Sequence, residues 1–463
     1  MRFRSSFLLL AFPLLLFLLL AAASGAPPTR AASLSGASLD VSFVENASQP
    51  FGTFDGVAFV RHTGLFEGET SLGPFRVPYE IIAPADPGAG AATVLMEPPH
   101  WAIPPFGRDY VIGRNVIFTR GISYASVGFG TDGGNILNPF ATDLIVAGDP
   151  VENPGQITFA GSSDEEILIQ FAEALSSEPY ATEILGPLDH RYALGISQTA
   201  DVLLETLHRV SGTDNRDLFD ITLLHGASWR VTAPGLVRPG GPLELIGGQF
   251  APLEDVGRVI FVGAEGDLLA FDAKQFRRAA NRTDQRVYEV AGAAHLPTPD
   301  NPLNHWLVAR ALLVAGDEWV RLGQSPPASN LLQEAPAGQI DPVYGTETGI
   351  ARDADLNAKG GVRLPDLAVS RAQFIASDPD TQTVVGLPFL APLSGSTVDL
   401  ACEPEPGSDS DEPRFSNHGE YVNAFTQQVN ALQGQGFLLD SDAEALKDRA
   451  AQSQVGKPGT CAD

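Results

Sequence analysis

Cysteine is almost absent from this chain of 463 residues, which contains only Cys402 and Cys461. So few thiols exclude the Cys/His spacing of a structural zinc site, and the HExxH pattern of zinc hydrolases is missing too. No glycine-rich phosphate-binding motif follows a strand, so we expect neither a metal ion nor another cofactor. Both cysteines lie near the carboxyl end, and such a pair often forms a disulfide bond in an oxidising compartment.

Basic residues are also scarce, because 29 lysines and arginines face 56 aspartates and glutamates, for a net charge of −27. A surface this acidic repels phosphate backbones, so nucleic acid is not an expected partner. Charged residues make up only 18% of the chain and hydrophobic residues 44%. This composition is typical of a globular protein with a substantial core.

Long hydrophobic runs are confined to the amino terminus. Arg2 and Arg4 precede an apolar run over residues 7–20, and small residues follow, which is the layout of a secretory signal peptide. The alternative is an uncleaved membrane anchor, but the run is short for a span and contains Pro13. We therefore expect residues 1–26 to be a signal peptide, the protein to be periplasmic or secreted, and the mature chain to lack a membrane span.

The middle of the chain has the pattern of an α/β fold. After a Ser/Ala-rich leader or linker over residues 27–50, "GVAFVRHTGLFEGE" and "FRVPYEIIAPA" predict antiparallel strands. Continuous apolar runs then alternate with helical segments, and such runs indicate parallel strands that are covered on both faces. The runs are "ATVLMEPP", "YASVGFGT", "RYALGIS", "DITLLHGA", "RVIFVGAEGD" and "RVYEVAGAAH". We predict one core over residues 51–330, a mostly parallel sheet with helices on both faces.

Residues 331–463 have too few apolar runs to build an independent core, so they predict an extension packed on the same domain. A helix in "GEYVNAFTQQVNALQGQG" carries an apolar stripe that requires a partner surface. The stripe consists of Tyr421, Phe425, Val429 and Leu432. The run "GGVRLPDLAV" predicts a short strand. We expect residues 360–369 and 419–434 to pack against the core near the mouth of a pocket.

Ser197 is the strongest candidate for a catalytic residue. It lies in "GISQTA", between the buried strand "RYALGIS" and the amphipathic helix "QTADVLLETL". A serine on such a strand-to-helix turn is exposed above the sheet, as in the G-x-S-x-G motif of α/β-hydrolases. Here Thr199 stands at the second glycine position. The alternative is a serine that only caps the helix.

A nucleophilic serine requires a base and an acid, which α/β-hydrolases supply in the order Ser, acid, His. His295 ends the last predicted strand, in the Gly/Ala-rich turn of "VAGAAH", and is the candidate base. His225 ends an earlier strand, which predicts a core residue or a supporting residue of the site. Two carboxylates follow the strand "RVIFVGA", Glu265 and Asp267. Either one could orient His295, and spacing from the strand favours Asp267 slightly.

Two places on the chain could supply amides that stabilise an oxyanion. The amide of Gln198 lies at the start of the helix that follows the candidate nucleophile. The loop "VLMEPPHWAIPP" brings His100 and Trp101 to the position where hydrolases of this fold carry a second donor. Trp101 could instead be an aromatic plug on a turn, or form a wall of an acyl pocket.

The chain from about residue 56 to 451 resembles a group of exported bacterial proteins known as α/β-hydrolase domain proteins. The resembling stretches are "GISQTADVLLETL", "VIFVGAEGDLL", "VAGAAH", "ARALLVAGDEWVRLGQSPPAS", "GGVRLPDLAVS" and "YVNAFTQQVNALQGQGFLL". The resemblance implies the α/β-hydrolase fold with an integral C-terminal part. It also implies a triad of Ser197, His295 and an acid at Glu265 or Asp267, and it does not supply a substrate.

These features predict a serine hydrolase that cleaves a small-molecule carboxylic ester through an acyl-enzyme. A peptidase or amidase would use the same three residues. A third hypothesis is a non-catalytic binding protein that retains the fold.

Overall fold

The alternating and the continuous apolar segments together build one sheet. The computed structural model describes residues 40–71, 73–98, 113–128, 163–213, 216–227, 253–270, 273–378, 393–404, 406–407 and 413–459. Within these ranges nine strands hydrogen-bond in the order β1-β2-β3-β5-β4-β6-β7-β8-β9. The strands are β1 Ser42–Phe54, β2 Val57–Thr70, β3 Gly73–Pro84, β4 Thr93–Met96, β5 Ser123–Val127, β6 His190–Ile196, β7 Ile221–His225, β8 Arg258–Ala264 and β9 Gln285–Val290.

The type of strand pairing changes once across the sheet, from antiparallel to parallel. Strands β1 to β3 pair antiparallel, and β3 also runs antiparallel to β5. From β5 to β9 every pairing is parallel. All residues of β4, β5 and β7 are buried, as continuous apolar strands in the middle of an α/β sheet require. The predicted fold class, with antiparallel strands first and a parallel sheet after them, is confirmed.

Strand β1 corrects the predicted boundary at residue 50, because it begins at Ser42 inside the segment assigned to a leader or linker. Residues 46–50 are exposed at the edge of the sheet, which is why their pattern is not strand-like. The missed signal is Asp55-Gly56 between two apolar residues. Both have positive φ, 47° and 82°, as a two-residue type I′ hairpin turn requires. Pairing with β2 then makes the preceding polar segment a strand.

Nine helices lie in the described ranges. They are α1 Arg114–Thr119, α2 Ser163–Ser177, α3 Pro179–Leu185, α4 Gln198–Val210, α5 Glu265–Ala270, α6 Trp306–Leu322, α7 Pro365–Ala368, α8 His418–Gly434 and α9 Asp440–Gln452, with short 3-10 turns at Pro87–Ala89 and Ala273–Ala279. The periodic segments "QTADVLLETL" and "GEYVNAFTQQVNALQGQG" predicted α4 and α8 within a few residues. Gly212, just after α4, has φ 69° and ends that helix in the left-handed conformation that glycine favours. Among the described residues, no helix has the length and hydropathy of a membrane span.

The C-terminal extension continues the sheet beyond β9. Asn330 forms an isolated parallel bridge to Tyr288, and Val362 forms one to Val290. Of the predicted strand in 360–369, only Gly360 and Val362 form bridges, and Gly360 pairs antiparallel with Leu332. The strand goes no further because Pro365 starts helix α7, where a proline at the first helical position is favourable. Strands β10 Ala372–Ile375 and β11 Ser396–Asp399 pair antiparallel in a separate two-stranded sheet.

The helices of the extension pack on the same core. The predicted stripe of α8 is confirmed, since Tyr421, Phe425, Val429 and Leu432 are its buried residues. They belong to the same hydrophobic cluster as the sheet. An ion pair joins Arg310 of α6 to Asp442 of α9. The described residues all fall in one compact unit, Ser38–Asp463, whereas the predicted signal peptide lies outside the described residues.

Candidate active site

Ser197 lies on a strained turn between β6 and α4. Its backbone has φ 56° and ψ −123°, a conformation that residues with a side chain rarely adopt. Such strain costs about 1–3 kcal/mol and persists only where the surroundings enforce it. Here the Ser197 amide donates to the His225 carbonyl oxygen at 2.8 Å, which ties the turn to the end of β7. The Ser197 side chain is partly exposed at this edge of the sheet.

The residues around Ser197 let the turn close tightly. A Cβ at Gly195 would lie 2.6 Å from the backbone nitrogen of Ala200, so only glycine fits there. Thr199, which departs from the G-x-S-x-G pattern, bonds back to the strand. Its hydroxyl accepts from the Ile196 amide at 2.7 Å and donates to the Ile196 carbonyl at 2.9 Å. Thr199 therefore stabilises the turn through two hydrogen bonds. A glycine at this position would allow the close approach but could not form these bonds.

His295 and Asp267 complete a line of hydrogen bonds that starts at Ser197. His295 Nε2 lies 2.9 Å from Ser197 Oγ, and His295 Nδ1 lies 2.5 Å from Asp267 Oδ1. The second oxygen of Asp267 accepts from the Ala264 amide at 2.7 Å. Asp267 is completely buried and His295 is 6% exposed. The three side chains come from the carboxyl ends of β6, β8 and β9, which meet at one edge of the parallel sheet.

Gly226 covers the imidazole of His295. It follows β7 with φ 62°, and a Cβ there would lie 3.1 Å from His295 Cε1. Its amide donates to the Val262 carbonyl at 2.7 Å, which holds this backbone against β8. The close approach limits rotation of the ring, so the orientation of His295 is fixed from its face as well as from its two nitrogens.

Glu265, the alternative acid, does not contact His295. Its Oε1 pairs with Arg352 Nη1 at 2.6 Å, and its Oε2 accepts from the Gly292 amide at 2.7 Å. Two positions along a helix correspond to about 200° of rotation, so Glu265 and Asp267 point away from each other. The structure thus corrects the assignment of Glu265 as a candidate catalytic acid. Burial raises the pKa of the Glu265 carboxyl, and the Arg352 guanidinium opposes that rise.

Comparison with protein families identifies the chain. The model of a family described as "Alpha/beta hydrolase domain" matches residues 162–448, which is more than half of the chain. The chain belongs to this α/β-hydrolase family. The match begins at α2 and runs into α9, so it includes most of the C-terminal extension. No curated protein matches the chain significantly.

Solved structures similar to this α/β-hydrolase include several esterases. Esterase Est22 is 13% identical, over 50% of this chain and 71% of that chain, with a TM-score of 0.33. A fungal esterase from Rhizomucor miehei is 13% identical, over 61% and 87%, with a TM-score of 0.37. Brefeldin A esterase, a bacterial homologue of human hormone sensitive lipase, is 14% identical, over 64% and 80%, with a TM-score of 0.32. Similarity at this level carries no information about activity.

The predicted oxyanion donors of this α/β-hydrolase are only partly described. Gln198 is the first residue of α4, where a backbone amide has no acceptor inside the helix and the helix dipole is positive. That amide belongs to the residue directly after Ser197. His100 and Trp101 lie outside the described residues, so their roles stay predictions. In the part of the chain that the structure describes, no group of three or more His, Cys, Asp or Glu side chains could hold a metal ion.

Arg352 joins the C-terminal extension to helix α5, which carries Asp267. It is almost completely buried and pairs with Asp341 at 2.7 Å as well as with Glu265. We expect Arg352→Met to lower the free energy of unfolding by about 3–5 kcal/mol, because it leaves buried carboxylates without their counter-charge. Urea titration measures this loss.

The matched control is Arg363→Met, which removes a half-buried pair with Asp353. A partly solvated pair contributes about 0–1 kcal/mol, so the control should lose little. Equal losses of unfolding free energy in the two variants would show that the ion pairs of Arg352 with Glu265 and Asp341 do not anchor the extension.

Two further histidines are buried beside His295. His225 Nε2 lies 2.6 Å from His305 Nδ1, and His305 Nε2 lies 3.1 Å from the His295 carbonyl oxygen. Burial lowers the pKa of His305 to about 4, although the charge of Asp267 opposes this shift. Burial, together with the neighbouring His305 and His295, also lowers the pKa of His225. Both rings are therefore neutral at pH 7.

This pair makes the stability of the protein depend on pH. Below pH 6.5 the unfolded chain binds a proton at residue 305, whereas the folded protein does so only near pH 4. Stability is therefore complete above pH 6.5 and falls as the pH drops towards 4. We expect His305→Gln to reduce the loss between pH 7 and 4.5 by about 2–3 kcal/mol. Urea titrations at both pH values measure it, and an unchanged loss would show that His305 is not the group involved.

Proposed function

We propose that the protein is a serine hydrolase that cleaves small carboxylic esters through an acyl-enzyme. The observation that carries the proposal is the hydrogen-bonded line from Asp267 through His295 to Ser197, with distances of 2.5 and 2.9 Å. An imidazole that accepts from a serine and is oriented by a buried carboxylate is the arrangement that activates serine as a nucleophile. The partly exposed Ser197 is accessible to a substrate at the edge of the sheet.

Each residue has a defined role in the proposed reaction. Ser197 Oγ attacks the ester carbonyl carbon while His295 Nε2 takes the hydroxyl proton, and the tetrahedral intermediate forms. His295 then gives this proton to the alkoxide oxygen, so the alcohol leaves and the acyl group stays on Ser197. Water, deprotonated by His295, then attacks the acyl carbonyl carbon. His295 returns this proton to Ser197 Oγ as the acyl–oxygen bond breaks, which releases the acid and restores the serine hydroxyl. Asp267 keeps the Nδ1 proton of His295 in place and stabilises the imidazolium.

The negative oxygen of the intermediate requires donors. The backbone amide of Gln198 is in the position to be the first, because it directly follows the nucleophile at a helix start. We propose that the second comes from the loop that contains His100 and Trp101. Each such donor contributes about 10²–10³-fold to the rate in serine hydrolases.

The experiment that tests this function has two parts. A fluorophosphonate probe should label the protein, and mass spectrometry of the digest should locate the label on Ser197. Pairs of p-nitrophenyl esters and p-nitroanilides with the same acyl groups then compare ester with amide cleavage. Turnover of esters alone supports the proposal, and faster turnover of anilides would favour the peptidase or amidase alternative. A protein that neither reacts with the probe nor turns over either series would be a binding protein that retains the fold.

We also propose that residues 1–26 direct export and are then removed, and that Cys402 and Cys461 form a disulfide bond. The support is the layout of residues 1–26 and the presence of only two cysteines. Cys461 lies outside the described residues. Amino-terminal sequencing of the protein from a cell-fractionation experiment tests export. Thiol alkylation before and after reduction tests the bond, since two alkylated cysteines before reduction would contradict it.

A further inference from the structure

Two histidines near the three proposed catalytic side chains have no role in the mechanism above. His225 is the last residue of β7, and His305 directly precedes α6. Both are almost completely buried, with exposed fractions of 1%. Burial of an imidazole costs free energy unless hydrogen bonds replace those it made with water. The hydrogen bonds of these two residues connect them to the backbone of Ser197 and of His295.

The hydrogen bonds determine where the protons of this pair lie. The carbonyl oxygen of His295 can only accept, so His305 Nε2 must carry the proton of that bond. A neutral His305 then has a bare Nδ1, which accepts from His225 Nε2. The remaining nitrogen of His225, Nδ1, is buried and has no hydrogen-bond partner among the described residues, so it carries no proton. Only this one assignment satisfies both bonds with two neutral rings.

We propose that His225 and His305 are positioning residues that hold His295 at the correct distance from Ser197. This inference rests on the proposed function. The His225 carbonyl oxygen accepts from the Ser197 amide at 2.8 Å, and the His225 ring reaches the His295 backbone through His305. One residue at the end of β7 thus connects the turn of the nucleophile with the loop of the base. Gly226, the next residue, covers the ring of His295.

The uncharged state of His225 and His305 favours catalysis by the neighbouring His295. His295 becomes an imidazolium when it takes the proton of Ser197, and a second positive charge beside it would oppose that step. A protonated His305 would also turn its Nδ1 from acceptor into donor, so it would face the donor Nε2 of His225. The hydrogen-bonded pair of His225 and His305, here called the histidine relay, therefore holds His295 in place and adds no positive charge beside it.

Two substitutions at position 305 separate hydrogen bonding from packing. Phenylalanine keeps a ring of similar size and loses both bonds, whereas glutamine loses the ring and keeps one donor and one acceptor. We expect His305→Phe to lower kcat about 10–100-fold with little change in KM, since a small misplacement of a catalytic group has an effect of this size. His305→Gln should retain more activity than His305→Phe. If the phenylalanine variant is the more active of the two, the site only requires volume and the proposal is wrong.

The second residue of the relay is tested by a double-mutant cycle. His225→Phe should lower kcat by a similar factor, and the double variant with His305→Phe should be no slower than the slower single variant, because the two act as one unit. If the decrease of kcat in the double variant equals the product of the two single decreases, the two residues act independently and the proposal is contradicted. His418→Phe is the control, since His418 also bonds backbone carbonyls but lies on α8. It should keep full activity.

The rate of fluorophosphonate labelling separates this inference from the proposed function. Labelling of the wild type and not of Ser197→Ala supports the serine hydrolase independently of positions 225 and 305. Once that result is established, unchanged labelling rates in His305→Phe and His225→Phe would overturn the positioning role.

Nitrogen NMR of the wild-type protein with isotope-labelled histidines gives a test without substitutions. Two buried neutral rings protonated on Nε2 are expected at pH 7, and a charged ring or an Nδ1 proton at position 305 would overturn the assignment.

Discussion

Ser197→Ala should yield a folded protein whose ester hydrolysis is about 10⁶-fold slower and which no longer reacts with a fluorophosphonate, because a serine hydrolase loses about this much rate without its nucleophile. Loss of the hydroxyl removes the attacking atom and leaves His295 and Asp267 in place. Stability should change little. A serine that caps a helix normally contributes about 1 kcal/mol, but the Ser197 side chain makes no capping hydrogen bond within the described helix α4. Kinetics with p-nitrophenyl esters and thermal melting measure the two effects.

The control for this substitution is Ser211→Ala at the other end of the same helix. Ser211 Oγ donates to the Glu254 carbonyl at 2.9 Å and is remote in sequence from the turn of the nucleophile. This variant should keep its activity and its reaction with the probe. Hydrolysis by purified Ser197→Ala at the wild-type rate would show that the proposed nucleophile is the wrong residue.

Asp267→Asn should slow hydrolysis about 10⁴-fold, as the loss of the orienting carboxylate does in a serine triad. The reason lies in the second contact of Asp267. Its Oδ2 accepts from the Ala264 amide, so an asparagine must place its oxygen there and turn its NH₂ group towards His295. His295 Nδ1 then becomes an acceptor, and the ring proton moves to Nε2. A protonated Nε2 cannot take the proton of Ser197.

Glu265→Gln is the matched control, because it makes the same chemical change two residues earlier on α5. Glu265 contacts Arg352 and Gly292 rather than His295, so kcat should fall by less than about tenfold while stability decreases. A pH profile of kcat/KM and urea titration separate the two effects. Similar small losses of kcat in both variants would mean that the acid lies elsewhere in the chain.

The sequence by itself determined the elements that depend on local pattern. Continuous apolar runs predicted the parallel strands because a strand covered on both faces must be apolar along its length. Helix α4 and the buried stripe of α8 follow from residues spaced for one helical face. Ser197 and His295 were found as candidates because each lies at the end of a recognisable predicted strand, and the ends of parallel strands meet at one edge.

Only the tertiary structure decided the contacts between distant parts of the chain. Spacing could not choose between Glu265 and Asp267, since both follow β8 and the choice depends on which way each side chain points from α5. Strand β1 exists through its pairing with β2, and its exposed edge lacks an apolar pattern. Arg352 lies 87 positions from Glu265, and His305 lies 80 from His225. Such pairs have no local signature, because their partners become neighbours only when the chain is folded.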